Sequence, residues 1–268
     1  MKAVVLARGK GTRMQQADDR ATVASAQSRM ADLGLKAMIP FRRPFLDYVL
    51  SALADGGVSH VCLIVGPEHD SIRDHYDREH PPSRLTIDFA VQDAPLGTAN
   101  ALMSAREFAG DDPFLALNSD NYYPPEVVRA LVALDGPGLP VFDRASLLRL
   151  GNVSADRMAQ YAVLVIGADG SLEDIVEKPD AETLASFGSS YFVSMNCWRF
   201  DASIFEACAR VPPSGRGELE LPNAVRYAIR TMKKRFRTVP LEAGILDLSR
   251  RADIAEVERR LASIDPNP

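Results

Sequence analysis

Short apolar runs alternate with longer segments of mixed polarity along the first half of the chain. The runs are rich in β-branched residues and predict buried strands at 2–7, 58–65, 85–91 and 113–118. The intervening segments predict helices at 15–35, 44–54, 99–108 and 125–134. Strands and helices that alternate at this spacing are typical of an α/β sheet that is largely parallel.

The pattern changes from about residue 138. Two apolar runs, 160–166 and 172–176, flank a Gly-Ala-Asp-Gly hairpin signal at 167–170. Further strands are predicted at 190–200 and 235–239, and further helices at 201–209, 218–229 and 252–261. No linker separates the two halves. We therefore predict an α/β fold, a Rossmann-like mixed and mostly parallel sheet flanked by helices, in a single domain 1–268 with lobes 1–137 and 138–268.

Composition excludes several classes of protein. The 268 residues are 46% hydrophobic and 25% charged, as in ordinary globular chains. The net charge of −5 argues against a nucleic-acid binder and against an anionic-membrane binder. No signal peptide is expected, and no apolar run is long enough to span a bilayer. The three cysteines show no metal-ligand spacing and fit a reducing cytoplasm, which is the predicted location.

A glycine-rich cationic turn follows the first apolar run. Gly9 and Gly11 are one residue apart, so the backbone can turn tightly and bring its N–H groups close to an anion. Lys10 and Arg13 add positive charge, and a guanidinium can hold phosphate oxygens bidentately. The pattern is neither G-x-G-x-x-G nor a Walker A loop. It indicates a polyphosphate site, with an ordinary strand-to-helix turn as the alternative.

Asp120 directly follows the apolar run 114–117. Ligands of open α/β sheets lie beyond the carboxyl ends of the strands, where Asp120 and the glycine-rich turn both fall. A carboxylate there can hold a hard cation that bridges phosphates. The alternative is an N-cap or an Asx turn, which the sequence Ser-Asp-Asn also suits.

Seven stretches form an ordered set that spans nearly the whole chain, although each is weak alone. They are 6–14 (LARGKGTRM), 36–41 with 44–46 (KAMIPF, PFL), 92–101 (QDAPLGTANA), 118–121 (NSDN), 177–179 (EKP), 216–221 (RGELEL) and 244–247 (GILD). The set resembles the motifs of the sugar-1-phosphate nucleotidyltransferases, also called nucleotide-sugar pyrophosphorylases. The resemblance implies a fold of the nucleotidyltransferase, or GT-A-like, type.

The resemblance implies transfer of a nucleotidyl group from a nucleoside triphosphate to a sugar-1-phosphate, with release of pyrophosphate. Arg13 and Lys36 would face the triphosphate and Lys178 would bind the sugar phosphate, which makes these three the expected catalytic residues. Asp120 and Asp247 would hold Mg²⁺. The resemblance is also compatible with a homo-oligomer. A solvated flank is the alternative for Lys36, and a strand edge or helix cap is the alternative for Asp247.

Binding residues are implied in the same way. Gln92, through its amide donor and acceptor, and Gly97 would read the base, which favours UTP or dTTP. For Gln92 an ordinary polar loop residue is the alternative. Glu177 and Asn196 would hydrogen-bond sugar hydroxyls; for Glu177 a strand end before Pro179 is the alternative. The other expected nucleotide-binding residues are Leu6, Ala7, Gly9, Gly11, Thr12, Pro95 and Thr98.

Some positions depart from the family pattern. Arg8 stands where the family has a small residue, so it either adds a phosphate contact or crowds the turn. The residues after Asn196 lack the family's small glycine, which leaves the choice of sugar open. The chain ends soon after Asp247, so a bifunctional enzyme is not expected. The segment 15–35 is longer than usual and rich in alanine, and we predict a helical cover over the nucleotide site, outside the core. The alternative is an inert surface insertion or a contact in an oligomer.

Two rival functions stay open. The first is a regulatory paralogue that binds a nucleotide sugar without turnover, which the joint presence of Arg13, Lys36, Asp120 and Lys178 disfavours. The second is a glycosyltransferase of related GT-A fold. Such an enzyme would need an Asp-x-Asp metal motif, and this chain has Ser-Asp-Asn at 119–121.

Overall fold

A computed structural model describes residues 1–18, 21 and 23–268. The strands are β1 (Lys2–Leu6), β2 (His60–Val65), β3 (Thr86–Val91), β4 (Phe114–Asn118), β5 (Asn121–Tyr122), β6 (Gly138–Asp143), β7 (Ala162–Ile166), β8 (Leu172–Val176), β9 (Phe192–Ser194), β10 (Cys197–Phe200), β11 (Arg237–Pro240) and β12 (Leu246–Asp247). Each predicted strand is present, most of them within two residues of the expected bounds.

The helices cover both faces of the sheet. They are α1 (Thr12–Gln15), α2 (Ser25–Asp32), α3 (Phe45–Asp55), α4 (Asp70–Asp74), α5 (Thr98–Met103), α6 (Arg106–Ala109), α7 (Pro125–Val132), α8 (Arg144–Leu150), α9 (Ala181–Ser186), α10 (Ser203–Arg210), α11 (Leu221–Arg230) and α12 (Asp253–Leu261). Short 3₁₀ segments lie at Lys36–Met38 and Ala155–Gln160, and one π-helical turn lies at His75–Glu79. Of the described helices, none has the length and apolar character needed to cross a membrane.

One continuous sheet runs through both halves of the chain, in the order β3-β2-β1-β4-β10-β6-β9-β7-β8. The first four strands pair in parallel, and β10 joins β4 to β6 in antiparallel pairing. The pairs β6–β9, β9–β7 and β7–β8 are antiparallel, whereas β11 lies parallel to β6. The prediction of a mixed sheet flanked by helices is confirmed, with the parallel order concentrated in its first half.

The core has two layers, one on each face of the sheet. Val4 of β1 packs into one apolar cluster, while its neighbours Ala3 and Val5 pack into the other. All three side chains are fully buried, which is why the first run of the sequence is apolar throughout and does not alternate. The cysteines are also buried and unpaired, and burial raises the pKa of the Cys62 thiol to about 12.

The segment 15–35 differs from its prediction. The only helix that the described residues form between 16 and 35 is α2, and the predicted start at Asp18–Asp19 is wrong at Asp18, with Asp19 outside the described residues. The prediction that this segment lies outside the core is also wrong, whereas a cover over the nucleotide site stays a prediction. Ala31 is fully buried in the core, and Arg251 fixes the outer face through Ser28 Oγ (3.1 Å) and Asp32.

The predicted strand 190–200 is interrupted. The structure divides it into β9 and β10, and between them Asn196 adopts a left-handed backbone with φ 56°. Non-glycine residues rarely take this conformation, and they cluster at functional sites when they do. The interruption turns Asn196 out of the sheet and toward a cavity that is described below.

Candidate functional site

The carboxyl ends of β1 and β4 lie side by side in the sheet. Leu6 and Asn118 are paired across the two parallel strands, and Ser119 N–H donates to Leu6 O (3.2 Å). The glycine-rich turn leaves β1 at this point, and Asp120 leaves β4 next to it. Parallel pairing therefore brings together two motifs that are more than a hundred residues apart in sequence.

Two glycines hold the turn in place by close backbone approach. Gly11 has φ 61°, and a Cβ on it would lie 2.3 Å from Gly34 O. Gly34 has φ 73°, and a Cβ there would lie 2.5 Å from Lys10 O. No side chain fits at either position. The turn consequently rests against the backbone that leads directly into Lys36.

A cavity of about 340 Å³ opens beside this turn. Every residue predicted to bind nucleotide lines it, as do the expected triphosphate cations and one expected metal ligand: Leu6, Ala7, Gly9, Gly11, Thr12, Gln92, Pro95, Gly97, Thr98, Arg13, Lys36 and Asp120. The structure thus gathers these residues in one place. Their individual roles remain predictions.

The two expected triphosphate cations have different partners. Lys36 Nζ lies 2.7 Å from Asp120 Oδ2, in a partly buried ion pair. Arg13 Nη1 donates to Gln160 Oε1 at 3.1 Å, which fixes the guanidinium without neutralising it. Among the described residues no carboxylate pairs with Arg13, so its charge is available for an anion, whereas Lys36 pairs with the carboxylate at the end of β4.

Gln92 is oriented by the loop that follows it. Its Nε2 donates to Gly97 O (3.1 Å) and to Asn100 Oδ1 (2.8 Å), so both amide hydrogens have protein partners. The prediction that Gln92 offers both a donor and an acceptor to the base is therefore wrong for this conformation, in which only Oε1 remains. Gly97, at φ 114°, packs so closely on Leu219 that a Cβ would lie 2.5 Å from its carbonyl oxygen.

A second cavity of about 200 Å³ adjoins the first and shares Arg13, Thr98 and Asp120 with it. The predicted residues that line it are Arg13, Thr98, Asp120, Glu177, Lys178, Asn196 and Asp247. Lys178 (φ 44°) and Asn196 (φ 56°) are two of the three non-glycine residues with positive φ among those described. Such strain at two positions of one cavity is typical of a functional site.

Glu177 stands among other charges in the second cavity. Burial and the nearby Glu220 raise the pKa of its carboxyl group. Glu220 is itself paired with Arg216, whose Nε donates to Glu220 Oε1 at 3.1 Å. The motif at 216–221 thus reaches both cavities, since Glu218 lines each of them. Leu219 packs against Gly97, while Arg216 and Glu220 set the charge around Glu177.

Asp247 is buried and held by several donors. Arg157 Nη2 donates to its Oδ2 (2.8 Å), Tyr161 OH donates to the same oxygen, and Ser249 Oγ donates to Oδ1 (2.6 Å). Arg157 Nη1 also pairs with Asp253 (2.7 Å). Burial and the nearby Asp247 raise the pKa of the Tyr161 hydroxyl, so it stays a donor at neutral pH.

The carboxylates fit a hard divalent cation unequally. Asp247 is opposite Asn121 in the β5–β12 pair, and Asn121 directly follows Asp120. The backbones of the two expected metal ligands, Asp120 and Asp247, therefore run side by side. Asp120 pairs through Oδ2 alone within the described part of the chain, which leaves Oδ1 for a cation. Carboxylate oxygens are the ligands that Mg²⁺ prefers, and one or two suffice when phosphates complete the shell. Asp120 therefore fits Mg²⁺ directly, and Asp247 fits it only by sharing oxygens that Arg157, Tyr161 and Ser249 already use.

Several residues around the cavities carry no signal in the sequence. Arg157, Gln160 and Tyr161 lie in or next to a 3₁₀ segment. Arg157 and Tyr161 are 90 and 86 residues from Asp247, and Gln160 is 147 residues from Arg13. No motif marks them. Glu68 carries no signal in the sequence either. Its connection to the first cavity runs through Arg8, whose Nη2 lies 3.3 Å from Glu68 Oε2.

Known proteins resemble the chain over most of its length. The bifunctional protein GlmU of Methanococcus maripaludis is 28% identical over 230 residues, which cover 85% of this chain and 47% of that protein. The UTP–glucose-1-phosphate uridylyltransferase AglF of Haloferax volcanii is 28% identical over 262 residues, 97% of this chain and 96% of the relative. The chain spans about half the length of the GlmU proteins that it matches.

A solved structure has the same fold. The crystal structure of a UDP-glucose pyrophosphorylase complexed with UDP-glucose superposes with a TM-score of 0.75 at 17% identity, over 98% of this chain and 99% of that one. At this identity the likeness concerns the fold alone. A model of the nucleotidyl transferase family matches residues 2–260, and the chain therefore belongs to the nucleotidyl transferase family.

Proposed function

We propose that the protein transfers a nucleotidyl group from a nucleoside triphosphate, preferably UTP or dTTP, to a sugar-1-phosphate. An oxygen of the sugar phosphate attacks the α-phosphorus, the bond from that phosphorus to the β-phosphate oxygen breaks, and pyrophosphate leaves. The products are a nucleotide sugar and pyrophosphate. Family membership and the sugar-1-phosphate relatives support this reaction class.

The observation that carries the proposal is the junction of the two cavities. Arg13 and Asp120 line both of them. A nucleotide in the first cavity and a sugar phosphate in the second would therefore meet with their phosphates at a shared cation and a shared carboxylate. Positioning and charge stabilisation supply most of the catalysis in phosphoryl transfer, and this junction provides both.

Each side chain has a role that follows from its place. Arg13, held but not neutralised by Gln160, binds the β- and γ-phosphates and stabilises the leaving pyrophosphate. Lys36 faces the same phosphates. Lys178, on its strained backbone, binds the phosphate of the sugar. Glu177 and Asn196 accept and donate hydrogen bonds to sugar hydroxyls from the wall of the second cavity.

Asp120 and Asp247 would hold Mg²⁺. When bound, the ion neutralises phosphate charge at the reacting centre. Lys36 stays close to the reacting phosphates because it pairs with Asp120. We further propose that residues 1–137 form the nucleotide-binding lobe and residues 138–268 the sugar-binding lobe of one domain. This division is supported by the first cavity, which residues of the first part line almost entirely.

The orientation of Gln92 supports the preference for pyrimidines. With both Nε2 hydrogens engaged by the loop, Oε1 can only accept, and the imide N–H of uracil or thymine is a matching donor. Cytosine and adenine have no N–H at that position. Guanine has one, but on a larger ring system, and the cavity that must also hold a triphosphate has a volume of about 340 Å³.

A pyrophosphate-release screen tests the proposal. Five nucleoside triphosphates (ATP, GTP, CTP, UTP and dTTP) are each paired with a panel of sugar-1-phosphates in the presence of Mg²⁺. We expect release with at least one sugar phosphate, and faster release with UTP or dTTP than with the other three. Faster release with GTP or ATP would refute the pyrimidine preference. No release with any pair would favour the binding paralogue over the enzyme.

A further inference from the structure

A second cluster of metal-ligating side chains lies outside the two cavities. His75, Glu79 and His80 each present one ligand atom, and these three atoms all lie within 4.8 Å of one another. His75 is nine-tenths buried, whereas Glu79 and His80 are exposed and can adjust their rotamers. We propose that these residues form a binding site for a divalent transition-metal cation of the zinc class.

The backbone gives this cluster its geometry. His80 N–H donates to His75 O at 2.7 Å, a bond that spans five residues and closes one π-helical turn at His75–Glu79. In an α-helix, residues five apart point in different directions. The wider π turn brings them onto one face, and the rings of His75 and His80 lie 4.8 Å apart, centroid to centroid. Single π turns are frequent at functional sites.

His75 is held between two carboxylates and bonded to neither. Its Nδ1 lies 3.8 Å from Glu79 Oε2, and its Nε2 lies 3.7 Å from Asp47 Oδ1. Both distances exceed a hydrogen bond. Nε2 is buried and has no hydrogen-bond partner within the described structure. A cation on Nδ1 would place the ring proton on Nε2, which is buried and faces the Asp47 carboxylate.

Asp47 lies on the Nε2 side of His75, opposite the proposed cation. It is fully buried on α3 and accepts hydrogen bonds from Tyr76 OH and Arg43 Nε, both at 2.7 Å. Histidine ligands commonly direct their second ring N–H at such a carboxylate, which orients the ring and strengthens the metal bond. A cation on Nδ1, with Glu79 and His80, would thus have two imidazoles and one carboxylate as ligands, the donor set of many zinc sites. Arg78, which precedes Glu79, is itself paired with Asp74 (3.1 Å).

Zinc titration of the full-length chain tests the site. Zn²⁺ binding is measured by competition with a chromophoric chelator, in the Asp120→Asn background so that the proposed Mg²⁺ ligands do not contribute. We expect one Zn²⁺ per chain. His80→Gln and Glu79→Gln, at exposed positions that do not threaten folding, should each weaken binding at least ~10-fold. His60→Gln is the matched control, since His60 also contacts a carboxylate, Asp88 (2.7 Å), but has no third ligand within the described part of the chain.

Thermal unfolding gives a second readout that does not depend on activity. A ligand that binds only the folded state raises the unfolding temperature. Zn²⁺ should do so for the parent chain and for His60→Gln, and should do so much less for His80→Gln. Binding that is unchanged in His80→Gln and Glu79→Gln, or that is lost equally in His60→Gln, would overturn the site.

Arg8 supports a separate inference, which rests on the proposed function. Its side chain is only 8% exposed and lines the first cavity. Two of its nitrogens, Nε and Nη2, face Glu68 at 3.3–3.4 Å, but Nη1 is buried with no partner among the described residues. Gly66 makes room for this pair, because a Cβ there would lie 2.5 Å from Arg8 Nε. An unsatisfied buried guanidinium nitrogen is costly unless a ligand accepts its hydrogen bond.

We infer that Arg8 Nη1 donates to an oxygen of the bound nucleotide. Calorimetric titration with UTP needs no turnover, so it separates this inference from the proposed reaction. Arg8→Ala should weaken UTP binding at least ~10-fold, the loss expected for a hydrogen bond from a charged group. Arg149→Ala, at an exposed ion pair with Glu242 (3.0 Å), is the control. Titration with uridine assigns the oxygen: an equal loss with uridine places it on the base or ribose, and an unchanged uridine affinity places it on a phosphate. UTP binding that is unchanged in Arg8→Ala would refute the contact.

Discussion

Replacement of Asp120 by asparagine should lower turnover by at least ~10²-fold while the fold remains intact. The substitution keeps the size of the side chain and removes the negative charge that Lys36 Nζ contacts at 2.7 Å. A carboxylate that holds a cation against reacting phosphates acts mainly in the transition state, so kcat should fall more than the nucleotide KM rises. Steady-state pyrophosphate release measures both constants, and circular dichroism checks the fold.

Asp55→Asn is the matched control for this variant. Asp55 is also an aspartate paired with a cation, Arg84 Nη2 at 2.6 Å, but it lines neither cavity. Its turnover should match that of the parent protein. Near-normal turnover in Asp120→Asn would remove Asp120 from the reaction centre, and with it the main support for Mg²⁺ at that position.

Arg157→Met should lower the free energy of unfolding by about 3–5 kcal/mol, the cost typical of removing one partner from a buried ion pair. Arg157 bridges Asp247 (2.8 Å) and Asp253 (2.7 Å), and all three side chains are nine-tenths or more buried. Methionine keeps most of the volume but leaves two carboxylates without their cation. Urea unfolding, followed by fluorescence of the single tryptophan, Trp198, measures the loss.

Two comparisons sharpen this test. Arg149→Met removes an exposed pair with Glu242 and should cost no more than ~1 kcal/mol. Burial already raises the pKa of Asp253 despite Arg157, so its carboxyl group takes up a proton more readily in the folded chain than in the unfolded one. Stability from that group is lost as pH rises, and the deficit of Arg157→Met should be smaller at about pH 5 than at about pH 8. Equal losses in the two arginine variants would contradict a buried network.

The strands at the centre of the sheet could be predicted because they are buried on both faces. Runs such as Lys2–Leu6 and Phe114–Asn118 are almost wholly apolar, and their carboxyl ends locate the glycine-rich turn and Asp120 without further information. The interruption at Asn196 could not be predicted, since the sequence from 190 to 200 reads as one continuous strand. Its cause is a left-handed backbone that local sequence preferences do not favour.

The surroundings of Asp247 were beyond prediction for a different reason. Arg157 and Tyr161 reach it across 90 and 86 residues of chain, and each would look like an ordinary polar residue in its own segment. The helix α2 shows the same limit. Its alanine-rich face is too small to suggest a core helix, but Arg251, more than two hundred residues later, fixes its outer side and lets Ala31 pack inward.

The contact between Gly11 and Gly34 has a thermodynamic consequence. Because backbone touches backbone there, the turn that carries Arg13 and the segment that carries Lys36 keep a fixed spacing before any nucleotide arrives. The entropy of ordering these two cations is therefore lost when the chain folds and not when the nucleotide binds. The backbones that carry Arg13 and Lys36 are in this sense preorganised, so that a bound triphosphate would not have to order them.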